Sequence, residues 1–256
     1  MFVHDRHREI VDRLARRPRW TVTQLQREMR VSRSTLRRDL LELEERGDVV
    51  RVHGGVVHRD FLQGEPTFDR RGKQGVAAKR AIGAAAAAIV ADNASVYLDA
   101  GTTSLEVGRR LLLRPDVKLF THSLRLAADA ASSDAPASVV LVGGEVRKVS
   151  QAVVGALTLD WLKQLRFDVA FVAASGVTAE GVSTTELSEA GVKQAIADRA
   201  AKVVLVADAA KWDAPAAVRF AAWRRFDTWV VDAAVPRAAR AAAEAAGVKV
   251  IVAKEG

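Results

Sequence analysis

Through the first fifty residues the apolar positions recur at helical spacing. Ile10, Val11 and Leu14 sit among charges over Asp5 to Arg17, an amphipathic helix that stops before Pro18. Thr21 and Gln24 have the spacing of a capping box, which predicts a second, short helix running to about Met29. Ser32 then opens a third helix that Gly47 closes, and Leu36, Leu40 and Leu43 form its buried stripe at i, i+4 and i+7. Ser34 and Arg38 lie opposite that stripe, with Thr35 and Arg37 on its flanks.

The periodicity changes after Gly47. Two β-rich runs, Val49 to Val52 and Val56 to His58, surround Gly54-Gly55, a two-residue hairpin signal. A short helix, a tight turn, a second helix and a hairpin make a winged helix-turn-helix, whose second helix enters the major groove. Arg51, His53 and Arg59 on the hairpin are placed to meet phosphates or a minor groove, although His53 reads equally well as an exposed residue beside a turn.

Residues 61–75 are polar and basic with Gly64, Pro66 and Gly72, the composition of a linker with at most one short helix. An Ala-rich helix over Ala81 to Ala91 follows, and a second over Ala238 to Ala246. Between them short apolar runs alternate with helical stretches. The strands fall at Ser95 to Leu98, Lys118 to Thr121, Val139 to Val142, Asp168 to Ala173, Lys202 to Ala207, Thr228 to Val231 and Val248 to Val252. The predicted fold class is therefore α/β: a small N-terminal winged helix-turn-helix domain over 1–60, a linker over 61–75, and a larger, largely parallel α/β domain over 76–256.

Charge sharpens the first domain. Residues 1–60 hold fourteen arginines and no lysine against ten carboxylates, a surplus of four and so half of the net +8. On the third helix Arg33, Arg37 and Arg38 precede Glu42, Glu44 and Glu45, the reverse of what the helix dipole favours. An external polyanion beside the first half accounts for that order; an accidental gradient on a solvated helix is the competing reading. With no cysteine there is neither a disulfide framework nor a thiolate metal site, and no cofactor or metal is expected. The start lacks a signal-peptide core and Ile82 to Ala91 is too short to span a bilayer, so no membrane partner and a cytoplasmic location are expected.

Asp99-Ala-Gly-Thr-Thr-Ser104 lies where a strand gives way to a helix. Gly101 would let the backbone approach an anion, and Thr102, Thr103 and Ser104 add hydroxyls to the free amides of the helix start. Such a loop also serves as a simple capped turn. Thr121-His-Ser123, Gly143-Gly-Glu145 and Asp208-Ala-Ala-Lys211 occupy other strand ends, where ligands of open α/β sheets gather. Lys211 can meet the same anion or pair with Asp208 or Asp213 at the surface.

Val31 to Gly47, the following Arg51-Val-His-Gly-Gly55, Leu98-Asp-Ala-Gly-Thr-Thr103, Leu141-Val-Gly-Gly-Glu145, Val154-Gly155 and Asp208 to Lys211 together resemble DeoR-type bacterial transcriptional regulators, in order and over nearly the whole chain. The resemblance implies an effector domain similar in fold to ribose-phosphate isomerases and the CoA-transferase-like group. It also implies binding of a phosphorylated sugar through Asp99, Gly101, Thr102, Thr103 and Lys211. Ser104 joins them by position. Where these regulators usually read Thr-Asn-Ser, this chain has His122, an imidazole that titrates near neutral pH and is expected to face the pocket.

For DNA the expected contacts are Ser32, Arg33, Ser34, Thr35, Arg37, Arg38, Arg51, His53, Gly54 and Gly55. The expected partners are a double-stranded DNA operator and a phosphorylated sugar effector, the expected assembly a homo-oligomer, dimer or tetramer. Two rivals stand beside this reading: a sugar-phosphate isomerase-like enzyme fused to a DNA-binding module, for which Glu186 and Lys193 would be the acid-base pair, and an architectural DNA binder whose second domain only oligomerises.

Overall fold

The computed structural model describes residues 3–16, 19–52, 55–58 and 65–254. The chain divides into two compact units, Met1–Pro66 and Thr67–Gly256.

In the first unit the elements are α1 (Val3–Arg16), β1 (Arg19–Trp20), α2 (Val22–Met29), α3 (Arg33–Glu45), β2 (Val49–Val52) and β3 (Gly55–His58). Thr21 caps α2 in a reciprocal box with Gln24, and Arg30 turns the chain left-handed (φ 51°) to start the tight turn into α3. Ser32 caps α3 by accepting the Thr35 N–H at 3.1 Å. At the other end Gly47 (φ 73°) donates to Glu44 O and Asp48 donates to Leu43 O, both at 2.9 Å, the paired bonds that close a helix on a glycine. Leu36, Leu40 and Leu43 are all buried against Ile10, Leu14, Leu25, Met29, Val49 and Val56, roughly 2 kcal/mol of apolar burial for each leucine. Sequence periodicity missed β1, a two-residue strand that makes the wing a three-stranded sheet ordered β1-β3-β2.

The second unit opens with α4 (Phe68–Gly72), inside the stretch whose composition reads as linker, and α5 (Val76–Ala87), which starts five residues before the alanine run suggests. Its sheet is seven strands, all parallel, ordered β15-β14-β12-β9-β4-β5-β6. These are β4 (Ser95–Leu98), β5 (Lys118–Thr121), β6 (Ser138–Leu141), β9 (Phe167–Ala173), β12 (Ala200–Val206), β14 (Thr228–Asp232) and β15 (Lys249–Ala253). All seven lie within about two residues of the predicted positions, inside the usual boundary error. Alternate residues feed the two faces: Tyr97, Ala170, Val172 and Leu205 enter one core, whereas Val96, Leu98, Phe171 and Val204 enter the other. Helices α6 (Thr102–Leu111), α7 (Leu124–Ala131), α8 (Ala156–Lys163), α9 (Leu187–Arg199) and α10 (Arg237–Ala245) complete the unit.

Two small antiparallel pieces had no sequence signal: the hairpin β7 (Glu145–Arg147) with β8 (Ala152–Val154), and the sheet of β10 (Gly176–Thr178), β11 (Gly181–Thr184) and β13 (Val218–Ala221). Strand order reverses between β4 and β9, and that switch point is where an open parallel sheet leaves a crevice beyond its carboxyl ends. Among the described residues no helix is long and apolar enough to cross a membrane.

Candidate functional site

The first unit presents a cationic face. Arg33, Ser34, Arg37 and Arg38 are exposed on α3 and Thr35 is half-buried, while Ser32 is exposed at its cap. Ser32 Oγ also lies 2.7 Å from Thr35 Oγ1 and 2.9 Å from Ser34 Oγ, so the three hydroxyls form one cluster at the leading turn. Among the described residues none of Arg33, Arg37, Arg38 and Arg51 has an ion-pair partner. Two of the three glutamates of the second half do have partners: Glu44 accepts the Arg51 N–H at 3.2 Å, tying β2 to α3, and Glu42 lies 3.8 Å from His7. The inverted charge order is thus resolved internally only on the acidic side.

Beneath that face runs a buried ionic cluster that periodicity gave no hint of. Asp39 of α3 is 2% exposed and accepts two bonds from Arg6, at 2.6 and 2.8 Å, and one contact from His7 Nε2 at 3.1 Å. Burial raises the cost of its charge, but Arg6 and then His7 hold the carboxyl below the usual range. The cluster fixes the rotation of α3 against α1. Gly55 is buried in β3 opposite Val52, and a Cβ there would meet Trp20 O at 2.3 Å, so close strand packing demands this glycine. His53, Gly54 and Arg59 lie outside the described residues.

In the second unit the loop after β4 meets the end of β9. Asp99 is 2% exposed and accepts Ala173 N–H at 2.8 Å through Oδ2 and Ala100 N–H at 2.9 Å through Oδ1. Lys193 of α9, itself buried, bonds Asp99 Oδ2 and donates to Ala173 O at 3.0 Å. Burial again works against the carboxylate, and Lys193 first, then His122 and the backbone amide, keep its pKa lowered. Lys193 is therefore the buried partner of Asp99, and Glu186, the backbone cap of α9, is not its pair. Sequence spacing had no means of finding a contact across 94 positions.

His122 departs from expectation. It is 2% exposed at the end of β5, with Nδ1 2.9 Å from Tyr97 OH and Nε2 3.4 Å from Asp99 Oδ1. Burial pushes its pKa down to about 4, against the pull of Asp99, so it is neutral near pH 7 and does not titrate there. A neutral ring with Nε2–H toward the acceptor-only Asp99 accepts at Nδ1 the hydrogen bond that the Tyr97 hydroxyl donates. Glu189, also buried, acts on the same ring from α9, and is held by Arg147 at 2.9 Å and the Thr184 hydroxyl at 3.1 Å.

Thr102, Thr103 and Ser104 form the buried first turn of α6, and Ser104 Oγ has no hydrogen-bond partner among the described residues. Gly101 caps that helix with an ordinary extended backbone (φ −81°, ψ 154°). Its missing side chain is required for packing, because a Cβ would sit 2.4 Å from the Ala173 Cβ, a reason beside the expected approach of an anion. Lys211 follows Asp208 in a short turn, half-buried, with no ion pair to Asp208 or Asp213 within 4 Å. The turn carries it toward Lys79 of α5, on which Lys211, Asp208 and Arg71 all act electrostatically. Lys79 was not anticipated from sequence, where it reads as a solvated helix lysine.

Comparison with known proteins adds lineage. Residues 6–60 match the DeoR-like helix-turn-helix domain and residues 74–233 the DeoR C terminal sensor domain. Over 98% of both chains the sequence is 34% identical to the HTH-type transcriptional regulator GlpR of Haloferax volcanii. It is 28% identical to the glycerol-3-phosphate regulon repressor of Escherichia coli K12, over 90% of this chain and 91% of that one. It is also 28% identical to the HTH-type transcriptional repressor GlcR of Bacillus subtilis, over 91% and 89%. A ribose 5-phosphate isomerase A from Methanocaldococcus jannaschii superposes with a TM-score of 0.38 at 17% identity, over 52% of this chain and 53% of that one.

Proposed function

The chain belongs to the DeoR family of transcriptional regulators, and from that membership we propose that it represses a sugar-catabolic operon and that a phosphorylated sugar sets its hold on the operator. It is a DNA-binding regulator and not an enzyme. In this reading Ser32, Arg33, Ser34, Thr35, Arg37 and Arg38 of α3 face the major groove and Arg51 meets the backbone. The effector's phosphate takes the amides and hydroxyls of residues 101–104 together with Lys211, while Asp99, held by Lys193, receives sugar hydroxyls.

The observation that carries the DNA half is the asymmetry on α3, arginines without an anion among the described residues ahead of Glu42 and Glu44, which have internal partners. For the effector half it is the buried first turn of α6, which follows β4 where the strand order reverses, together with a cleft lined by Thr102 and Lys79, on which Lys211 acts electrostatically. A symmetric homo-oligomer fits the role, since one winged module spans too few base pairs to specify a site.

Thermal unfolding in the presence of a panel of three- to six-carbon sugar phosphates tests the effector claim. One of them is expected to raise the melting temperature of the wild type and to lose that effect in Thr102→Ala and Lys211→Ala. If every compound leaves the wild type unmoved, the sensor reading is wrong.

A further inference from the structure

Helix α8 is apolar on both of its faces. Thr158 and Leu162, one turn apart, are fully buried against the body of the second unit, and Leu159 is half-buried beside them. Leu157 and Trp161, also one turn apart, lie on the outer face and are 67% and 59% exposed. A surface helix normally turns polar residues outward, whereas a helix apolar all round is one that is covered all round. Of the five tryptophans, all of them described, Trp161 alone is exposed.

The apolar surface extends past the helix. The Thr158 hydroxyl donates to Gly143 O at 3.0 Å, which seats the first turn of α8 on the two glycines between β6 and β7. Gly144 admits no side chain there, since a Cβ would run into Thr158 Oγ1 and Val154 O. That contact brings Leu157 to the segment that carries Leu141 and Val146, which are also exposed. Among the described residues of the second unit, four of the nine large apolar side chains that are exposed thus fall between 141 and 161. Single exposed hydrophobes need no explanation, but a cluster of them marks a contact surface.

Charge decides what can cover it. The chain carries +8, yet the exposed charges of residues 141–165 are Glu145 and Asp160 against Lys148 and Lys163, 2 − 2 = 0, and Lys163 bonds Asp160 at 2.7 Å. A polyanion finds no attraction here, and an anionic membrane surface needs a cationic rim that this face lacks. Two copies of a +8 chain repel one another over most approaches, so a neutral face is where they can meet. The spacing is self-complementary as well. When two α8 helices pack antiparallel about a twofold axis at the level of Leu159, Trp161 of each meets the partner's Leu157, one contact made twice.

We propose that α8 forms the centre of a twofold interface with a second copy of this chain, with Trp161 and Leu157 as its anchors and Leu141 and Val146 at its margin. This rests on the homo-oligomer reading above and supplies the surface that reading lacks. A tryptophan set into a partner's apolar face is the kind of residue that dominates such interfaces, while the rest of the roughly 800 Å² per partner chiefly excludes water.

Sedimentation of the full-length protein over a dilution series tests it, with acrylamide quenching of tryptophan fluorescence followed in parallel. The wild type is expected to dissociate on dilution, and Trp161 to pass from shielded to quenchable over the same range. In Trp161→Phe that change in quenching should be absent. Trp161→Ala should raise the dissociation constant by about thirtyfold, the size of an interface anchor, and Leu157→Glu, which places a charge in the contact, by at least as much. The proposal is overturned if the wild type is oligomeric and both variants dissociate at the wild-type concentration, or if Trp161 is as quenchable in the oligomer as in the monomer. Shielding of Trp161 that comes only when duplex DNA is added to the monomer would assign the face to DNA and overturn it too. Should a variant not fold, the wild-type quenching decides alone. A wild type that stays monomeric at every concentration removes the homo-oligomer reading itself, and this interface with it.

Discussion

The two units arrange their charges in opposite ways. On α3 three arginines stand exposed without an anion among the described residues, whereas in the second unit Asp99, His122, Glu189 and Lys193 are all buried and all engaged with one another or with Arg147, Tyr97 and backbone amides. A surface that receives a large polyanion leaves its donors unsatisfied until the partner arrives. A pocket for a small molecule has to be held open by side chains already satisfied among themselves. Substitutions on the first surface should therefore change affinity and spare the fold, and substitutions in the second network should do the reverse.

The strongest way to break that comparison is Lys193→Met. Removing one partner of a buried pair leaves Asp99 uncompensated, which typically costs roughly 3 to 5 kcal/mol. The unfolding transition of the second unit, followed by calorimetry, should fall by a margin of that order, and adding Asp99→Asn should recover part of it. A loss below about 1 kcal/mol would show that the pair is as solvated as an ordinary surface bridge.

A smaller effect comes from His122. Its folded pKa of about 4 lies below the ordinary imidazole value of 6.5, so the unfolded chain binds the proton more readily between the two. The stability that neutral His122 contributes is fully present above about pH 6.5 and is lost as pH falls toward 4, on the order of 3 kcal/mol. The groups facing the ring are Asp99, Lys193 and Glu189, besides Tyr97. Urea titrations of wild type and His122→Asn across pH 4 to 7 should converge at the acid end; parallel curves would contradict the burial.

This contrast also governs what could be read from the sequence alone. The leucine stripe and caps of α3 and the seven strands declare themselves by local spacing, because each depends on residues within a turn or a β-strand of one another. The ionic partners do not. Arg6 reaches Asp39 across 33 positions and Lys193 reaches Asp99 across 94, and nothing in the local pattern marks either cation as the partner of a buried carboxylate. Gly101 was legible as special, but its packing requirement, the Ala173 methyl on the neighbouring strand, exists only once β4 and β9 lie side by side. His122 stood out as an unusual residue in its loop; its neutrality follows from the Tyr97 and Asp99 around it.

The exposed face makes the subtler demand, an affinity change with the fold left alone, and it bears the central claim. That claim is tested most directly by measuring how full-length wild type and Arg38→Ala bind duplex DNA from upstream of the protein's own gene, over a range of salt concentrations. The account predicts that Arg38→Ala loses about 1 to 3 kcal/mol of specific binding while its thermal unfolding stays within about 0.5 kcal/mol of wild type. Equal affinity of the two proteins for that DNA at every salt concentration would contradict it.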